Sequence, residues 1–150
     1  MTGVLRHAIR PLGFAGPRRT WIRDTGATVA VINLQRSSWS DLCYLNFGVL
    51  VDALGRPETI REEHCHLRLR APCPEPKPSL VEAALDPERT EIADSQRDSI
   101  IAAYLHTKVE PLLRRWESLE AIRQDLDSGA LAGAAVTLRL RTFLQERYHS

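Results

Sequence analysis

The chain has 150 residues, 43% of them hydrophobic and 26% charged, with 20 Lys and Arg against 19 Asp and Glu for a formal net charge of +1. That length and apolar content support one core and a single domain over residues 1–150, and the even charge leaves no global field to draw the chain to nucleic acid. Apolar runs are interrupted within a few residues by Arg, Asp or Asn, and residues 1–10 lack the apolar centre of a secretion signal. The expectation is therefore a cytoplasmic protein with no membrane span.

In chain order, Val4, Leu5, Ala8, Ile9 and Leu12 recur at helical spacing and predict a short amphipathic helix over residues 3–12, ended by Pro11 and Gly13. The period then changes to two, and β-branched and aromatic residues predict four strands over 20–23, 28–36, 43–51 and 63–70. Asp24, Thr25 and Gly26 make a hairpin turn, and residues 37–41 a loop around Trp39. Short links imply antiparallel neighbours, so the fold class is α+β with a four-stranded meander. Prolines at 72, 74, 76 and 78 deny residues 71–79 both helical and ladder hydrogen bonds and predict an extended strap.

Residues 80–150 read as helical. Ser95 and Asp98 have capping-box spacing ahead of Ile100, Ile101, Tyr104, Leu105 and Val109. Pro111 restarts the helix before Leu112, Leu113 and Trp116. Ser118 caps a helix that Gly129 closes, and a last helix is expected over 131–148. These helices, with the N-terminal one, should pack on one face of the sheet.

Alternation divides the strands into two sets. Ala30, Ile32, Leu34, Cys43, Leu45, Phe47, Val49, Val51, Cys65, Leu67 and Leu69 form the core face. Asn33, Gln35, Tyr44, Asn46, Gly48, Glu62, His64, His66, Arg68 and Arg70 form the other. Asn is depleted in strands, so two mid-strand asparagines in a polar cluster mark this face as a binding surface. Three cysteines, Cys43, Cys65 and Cys73, with no CxxC pair, fit reduced thiols.

The binding candidates are thus Asn33, Gln35, Trp39, Tyr44, Asn46, His64, His66, Arg68 and Arg70. Glu62, His64 and His66 at alternate positions also have the spacing of a three-ligand metal site, although Arg68 and Arg70 beside them would repel a cation and favour an anion or an acidic protein surface. No nucleophile motif, phosphate loop or dinucleotide fingerprint is present, so no cofactor is expected and catalysis is the lesser reading. Arg18 and Arg19 beside Trp21, and Arg36 near Trp39, mix cations with rings as single-strand binders do, and equally suit packing and protein contact.

The ordered series Leu12-Gly13-Phe14, Thr20-Trp21, Ile32-Asn33-Leu34-Gln35-Arg36-Ser37-Ser38-Trp39, Tyr44-Leu45-Asn46-Phe47-Gly48-Val49 and His64-Cys65-His66-Leu67-Arg68-Leu69-Arg70 resembles the bacterial domain-of-unknown-function family numbered 4304. The resemblance covers about the first half of the chain and the helical half only in outline. The family has no assigned activity, so the resemblance implies no mechanism. Its motif positions fall on Asn33, Gln35, Asn46, Gly48, His66 and Arg68, all on the polar face. Analogy with small bacterial immunity proteins adds to the expectation of a non-catalytic module with a protein partner. The alternatives are a small-molecule or metal-dependent enzyme using the polar face, and a self-associating structural domain.

Overall fold

The computed structural model describes residues 1–72 and 79–149. Helix α1 (Thr2–Ile9) runs into a single 3-10 turn, Arg10–Leu12, as Pro11 demands, and Gly13 ends it with φ 90°. Four strands follow: β1 (Thr20–Asp24), β2 (Thr28–Arg36), β3 (Cys43–Val51) and β4 (Leu67–Arg70). The expected turn joins β1 to β2, with Asp24 Oδ1 accepting from Gly26 N at 2.9 Å and Gly26 at φ 92°. The expected strap, residues 71–79, falls for its central part, 73–78 with Cys73, outside the described residues.

The helical half comprises α2 (Leu80–Ala84), α3 (Asp94–Tyr104), α4 (Glu110–Arg115), α5 (Leu119–Asp127) and α6 (Leu138–His149). Ser79 and Ser118 cap α2 and α5, accepting from Glu82 N and Ala121 N. Helix α3 begins at Asp94 behind Ala93, not at a Ser95 capping box; the Ser99 hydroxyl donates back to the Ser95 carbonyl inside the helix instead. Pro111 has no N–H for the Thr107 carbonyl, and the chain passes it through a wider π-helical turn, Leu105–Val109, into α4.

The sheet has five strands rather than four, in the order β1-β2-β3-β4-β5, all antiparallel. The added strand, β5 (Ala135–Val136), pairs Val136 with Leu67 and Ala135 with Arg68, inside the segment 131–148 that reads as helix from its residues alone. Turn bonds from Ala132 N to Gly129 O and from Ala134 N to Leu131 O delay the final helix, which Thr137 then starts by accepting from Leu140 N. A second difference lies before β4. Residues Glu62–His64 form a 3-10 turn, and the fourth strand starts only at Leu67.

The split of the core face holds for β2, β3 and β4. Ala30, Ile32, Leu34, Leu45, Phe47, Val49, Val51, Leu67 and Leu69 are buried in one cluster with Leu5 and Ile9 of α1 and with Ile101, Leu113, Ile122, Leu140 and Leu144 of the later helices. Trp21 joins that cluster as well. Cys65 does not: with the strand shortened, it sits on the opposite side with Val29, Val31 and Leu50 in a small second cluster under Ile22 and Ile60. Gly48 is fixed by the sheet itself, since a Cβ there would lie 2.3 Å from the Leu67 carbonyl oxygen and 3.3 Å from Cys65 Cβ. The room it leaves is filled by β4 and not by a ligand.

One charge enters the helix-covered side. Arg23 of β1, 8% exposed, donates from Nη1 to both Glu110 carboxylate oxygens at 3.0 and 2.9 Å and to the Leu12 carbonyl at 3.0 Å. Its Nη2 lies 3.2 Å from Glu117, and its guanidinium stands 4.7 Å from the Phe14 ring centre. This group ties the sheet edge to the 3-10 turn after α1 and to α4 at once. Removing one member of a buried pair leaves the other uncompensated, so Glu110→Ala should lower stability by about 3 kcal/mol in urea denaturation. Arg114→Ala, whose exposed guanidinium also meets Glu110 at 2.6 Å, should cost less than about 1 kcal/mol. Equal losses would show that Arg23 is not the partner that matters.

Candidate functional site

The open face of the sheet is the floor of a groove of about 1160 Å³, with residues 15–18 along one wall and 58–63 along the other. Its floor is a hydrogen-bonded plane built by the pairing of Asn33 with Asn46 and Gln35 with Tyr44 across β2 and β3, and of Asn46 with Arg70 across β3 and β4. Asn46, buried, donates from Nδ2 to Gln35 Oε1 at 3.0 Å and to Asn33 Oδ1 at 3.3 Å. Asn33 donates onward to the Arg19 carbonyl and to Thr20 Oγ1 at 3.0 Å, which fixes the near wall.

Arg70 completes the plane. Its Nε donates to Asn46 Oδ1 at 2.8 Å and its Nη2 to Gln35 Oε1 at 2.9 Å, while the guanidinium lies 4.3 Å from the Tyr44 ring centre. Every partner is neutral, and among the described residues no carboxylate pairs with it. Arg68 differs. It is held in a fork by Glu62, Nε to Oε1 at 2.8 Å and Nη2 to Oε2 at 3.0 Å, and the bond to Glu62 raises the Arg68 pKa above its ordinary value. Its charge is spent within the protein.

The structure therefore gathers Asn33, Gln35, Arg68 and Arg70 in the groove lining, with Asn46 and Tyr44 outside the lining but in contact with Arg70, and separates the remaining candidates. Trp39 projects from the β2–β3 loop, 97% exposed and outside the groove lining. Trp21 is buried, so it offers no stacking platform beside Arg18 and Arg19. The far half of this side of the sheet is apolar and covered, with Val29, Val31, Leu50 and Cys65 buried beneath Ile22 and Ile60. Burial pushes the Cys65 thiol up to about 12, with the nearby Glu62 adding to the shift, which leaves it an unreactive hydrophobe.

Glu62, His64 and His66 are not presented at alternate strand positions, because the 3-10 turn replaces the strand that would have aligned them. Glu62 is occupied by Arg68, His64 Nδ1 accepts from Arg61 N at 3.1 Å, and His66 Nδ1 accepts from Val51 N at 2.9 Å. Among the described residues no three His, Cys, Asp or Glu side chains gather to hold a metal. The groove walls were not legible beforehand. Arg18, in the left-handed region at φ 58°, and Glu58, Thr59 and Arg61 of the loop reach the site only because the chain folds back over the sheet. Their sole sequence signals are Gly16, whose added Cβ would lie 2.2 Å from the Thr20 carbonyl, and Pro57.

Over residues 5–115 the chain matches the family model described as a domain of unknown function (DUF4304). The match runs past the strands to the end of α4 and stops before α5, β5 and α6. No curated protein and no solved structure matches the chain. Among the described residues no helix is long and apolar enough to cross a membrane.

His66 carries a measurable consequence of its burial. Burial, and secondarily the Arg139 charge, depress its pKa below the ordinary histidine value. The unfolded chain then takes up the proton first on acidification, so the stability that rests on neutral His66 is complete above the unfolded pKa and is lost as pH falls below it. His66→Asn, which can still accept from Val51 N, should flatten the decline in stability between about pH 7 and pH 5 measured by urea titration. An unchanged slope would place the acid sensitivity on another group.

Proposed function

We propose that this chain, which belongs to the DUF4304 family, is a non-catalytic protein-binding module whose sheet groove takes an acidic side chain of its partner at Arg70. The observation that carries this reading is the fixed, uncompensated guanidinium. A lone exposed Arg loses rotamer freedom when it binds, about 2 kcal/mol for the side chain, whereas Arg70 is already oriented by Gln35, Asn46 and the Tyr44 ring. Neutral partners orient it without cancelling its charge, which leaves a carboxylate as the natural complement. The lining of the groove supports the non-catalytic half of the reading, since among the described residues it holds no Ser, Cys or His, and of its three carboxylates, Glu58, Glu62 and Glu63, Glu62 is engaged by Arg68 and Glu63 by Arg61.

The test is a titration with a Glu-rich peptide and its Gln-substituted counterpart, followed through the Nε–H resonance of Arg70 and the side-chain amides of Asn46 and Gln35. The Glu peptide should shift all three saturably, and Arg70→Gln should weaken binding at least about tenfold, the loss of one charge-assisted contact. Equal responses to both peptides, or an unchanged affinity in the variant, would dispose of the groove as an acid-binding site.

A further inference from the structure

The two histidines that the polar face was expected to share with Arg68 and Arg70 lie instead in a separate pocket of about 360 Å³, together with Arg56, Arg139 and the apolar edge of Leu50, Leu54 and Pro57. We infer that this pocket is a binding site for a small oxyanion, phosphate or the phosphate group of a monoester, gripped by the Nε2–H of His64 and His66 and by the Arg139 guanidinium. Nothing in this inference depends on the groove at Arg70.

The tautomers carry it. A backbone N–H can only donate, so the bonds from Val51 N to His66 Nδ1 and from Arg61 N to His64 Nδ1 leave each neutral ring with its proton on Nε2. Both rings therefore present donors, and neither presents the lone pair a metal ion needs. His66 is 7% exposed, so its ring is set by packing as well as by that bond. The polar residues lining the pocket are all basic, with no carboxylate among them. Arg56 is already balanced by Asp24 and Asp52, but Arg139, anchored by Nη2 to the Leu54 carbonyl at 2.7 Å, pairs with no carboxylate among the described residues. A positive, donor-rich and acid-free cavity is short of one negative, acceptor-only ligand. The depressed pKa of His66, caused by burial and then by the Arg139 charge, agrees with a site whose counter-charge comes from outside. Arg139 also lies beyond the residues matched by the family, which makes this pocket a property of the helical half joined to the sheet.

Inorganic phosphate is titrated into the intact protein at constant ionic strength, with chloride and zinc as separate arms and glycerol phosphate as the monoester, and the ring nitrogens of His64 and His66 are followed by NMR. The expected result is a saturable shift of both Nε2 signals with a Kd on the order of 1 mM, reduced at least about tenfold in affinity by Arg139→Gln. Tighter binding of glycerol phosphate than of phosphate would identify a monoester as the ligand, and the reverse order the free ion. His64→Gln provides a second variant, and thermal melting of both variants confirms that they are folded. No saturable shift with either phosphate, the same affinity in folded Arg139→Gln and His64→Gln, or zinc binding through Nε2 would overturn the inference.

Discussion

Both faces of this protein depend on the register in which β2 meets β3. Nine consecutive pairs, from Thr28 with Val51 to Arg36 with Cys43, lock the two longest strands together. Because side chains alternate, that one alignment sends Ile32 and Phe47 into the helical layer and, in the next pair, puts Asn33 beside Asn46 on the other side. A slip of one residue would bury four amide and phenol groups and expose the core. The pairing of Gly48 with Arg68 extends the same control to β4, since no larger residue fits under the Leu67 carbonyl. The groove is in this sense a by-product of core formation, and its chemistry is set where the strands align.

Beside the arginines that pair with carboxylates near the surface, such as Arg56 and Arg68, two further kinds stand out. Arg23 and Arg97 are buried and answered from within, the first by the carboxylates of Glu110 and Glu117, although its Nε and Nη2 make no hydrogen bond, the second by the carbonyls of Ala84, Asp86 and Arg89. They serve the architecture, holding β1 to α4 and the end of α2 to α3. Arg70 and Arg139 are exposed yet anchored, each by neutral oxygens that leave the charge intact. Anchoring an exposed cation without neutralising it adds little to stability and much to recognition. The apolar cluster of Val29, Val31, Leu50 and Cys65 lies on the same side of the sheet as Arg70, buried beneath Ile22 and Ile60.

Much of the fold was legible because it follows from local rules. The limits of β2 and β3, the Asp24-Thr25-Gly26 turn, the Ser118 cap and the restart at Pro111 were all readable from neighbouring residues. So was the cluster of Asn33, Gln35, Asn46 and Arg70, which alternation alone places together. What escaped is non-local. The 3-10 turn at Glu62–His64 breaks an alternation that looks unbroken in sequence, and with it moved both histidines and Cys65. Strand β5 is two residues long and exists through its bonds to β4, including Thr137 N to the His66 carbonyl, which no propensity in Ala135 and Val136 announces. Arg139 reaches the pocket of His66 across nearly half of the chain, a proximity that only the closed fold creates.

The loop that carries Trp39 has one more consequence. Its ends are clasped by Arg36 and Asp41 at 2.6 Å, and Ser37 and Ser40 satisfy the backbone N–H groups of Trp39 and Leu42, so the tip rests on nothing beyond itself. The other two indoles, Trp21 and Trp116, are 1% exposed against 97% for Trp39. The protein thus contains its own optical partition: selective excitation at the red edge, or collisional quenching by iodide, addresses the hairpin tip alone, while the unquenched blue emission reports the state of the core.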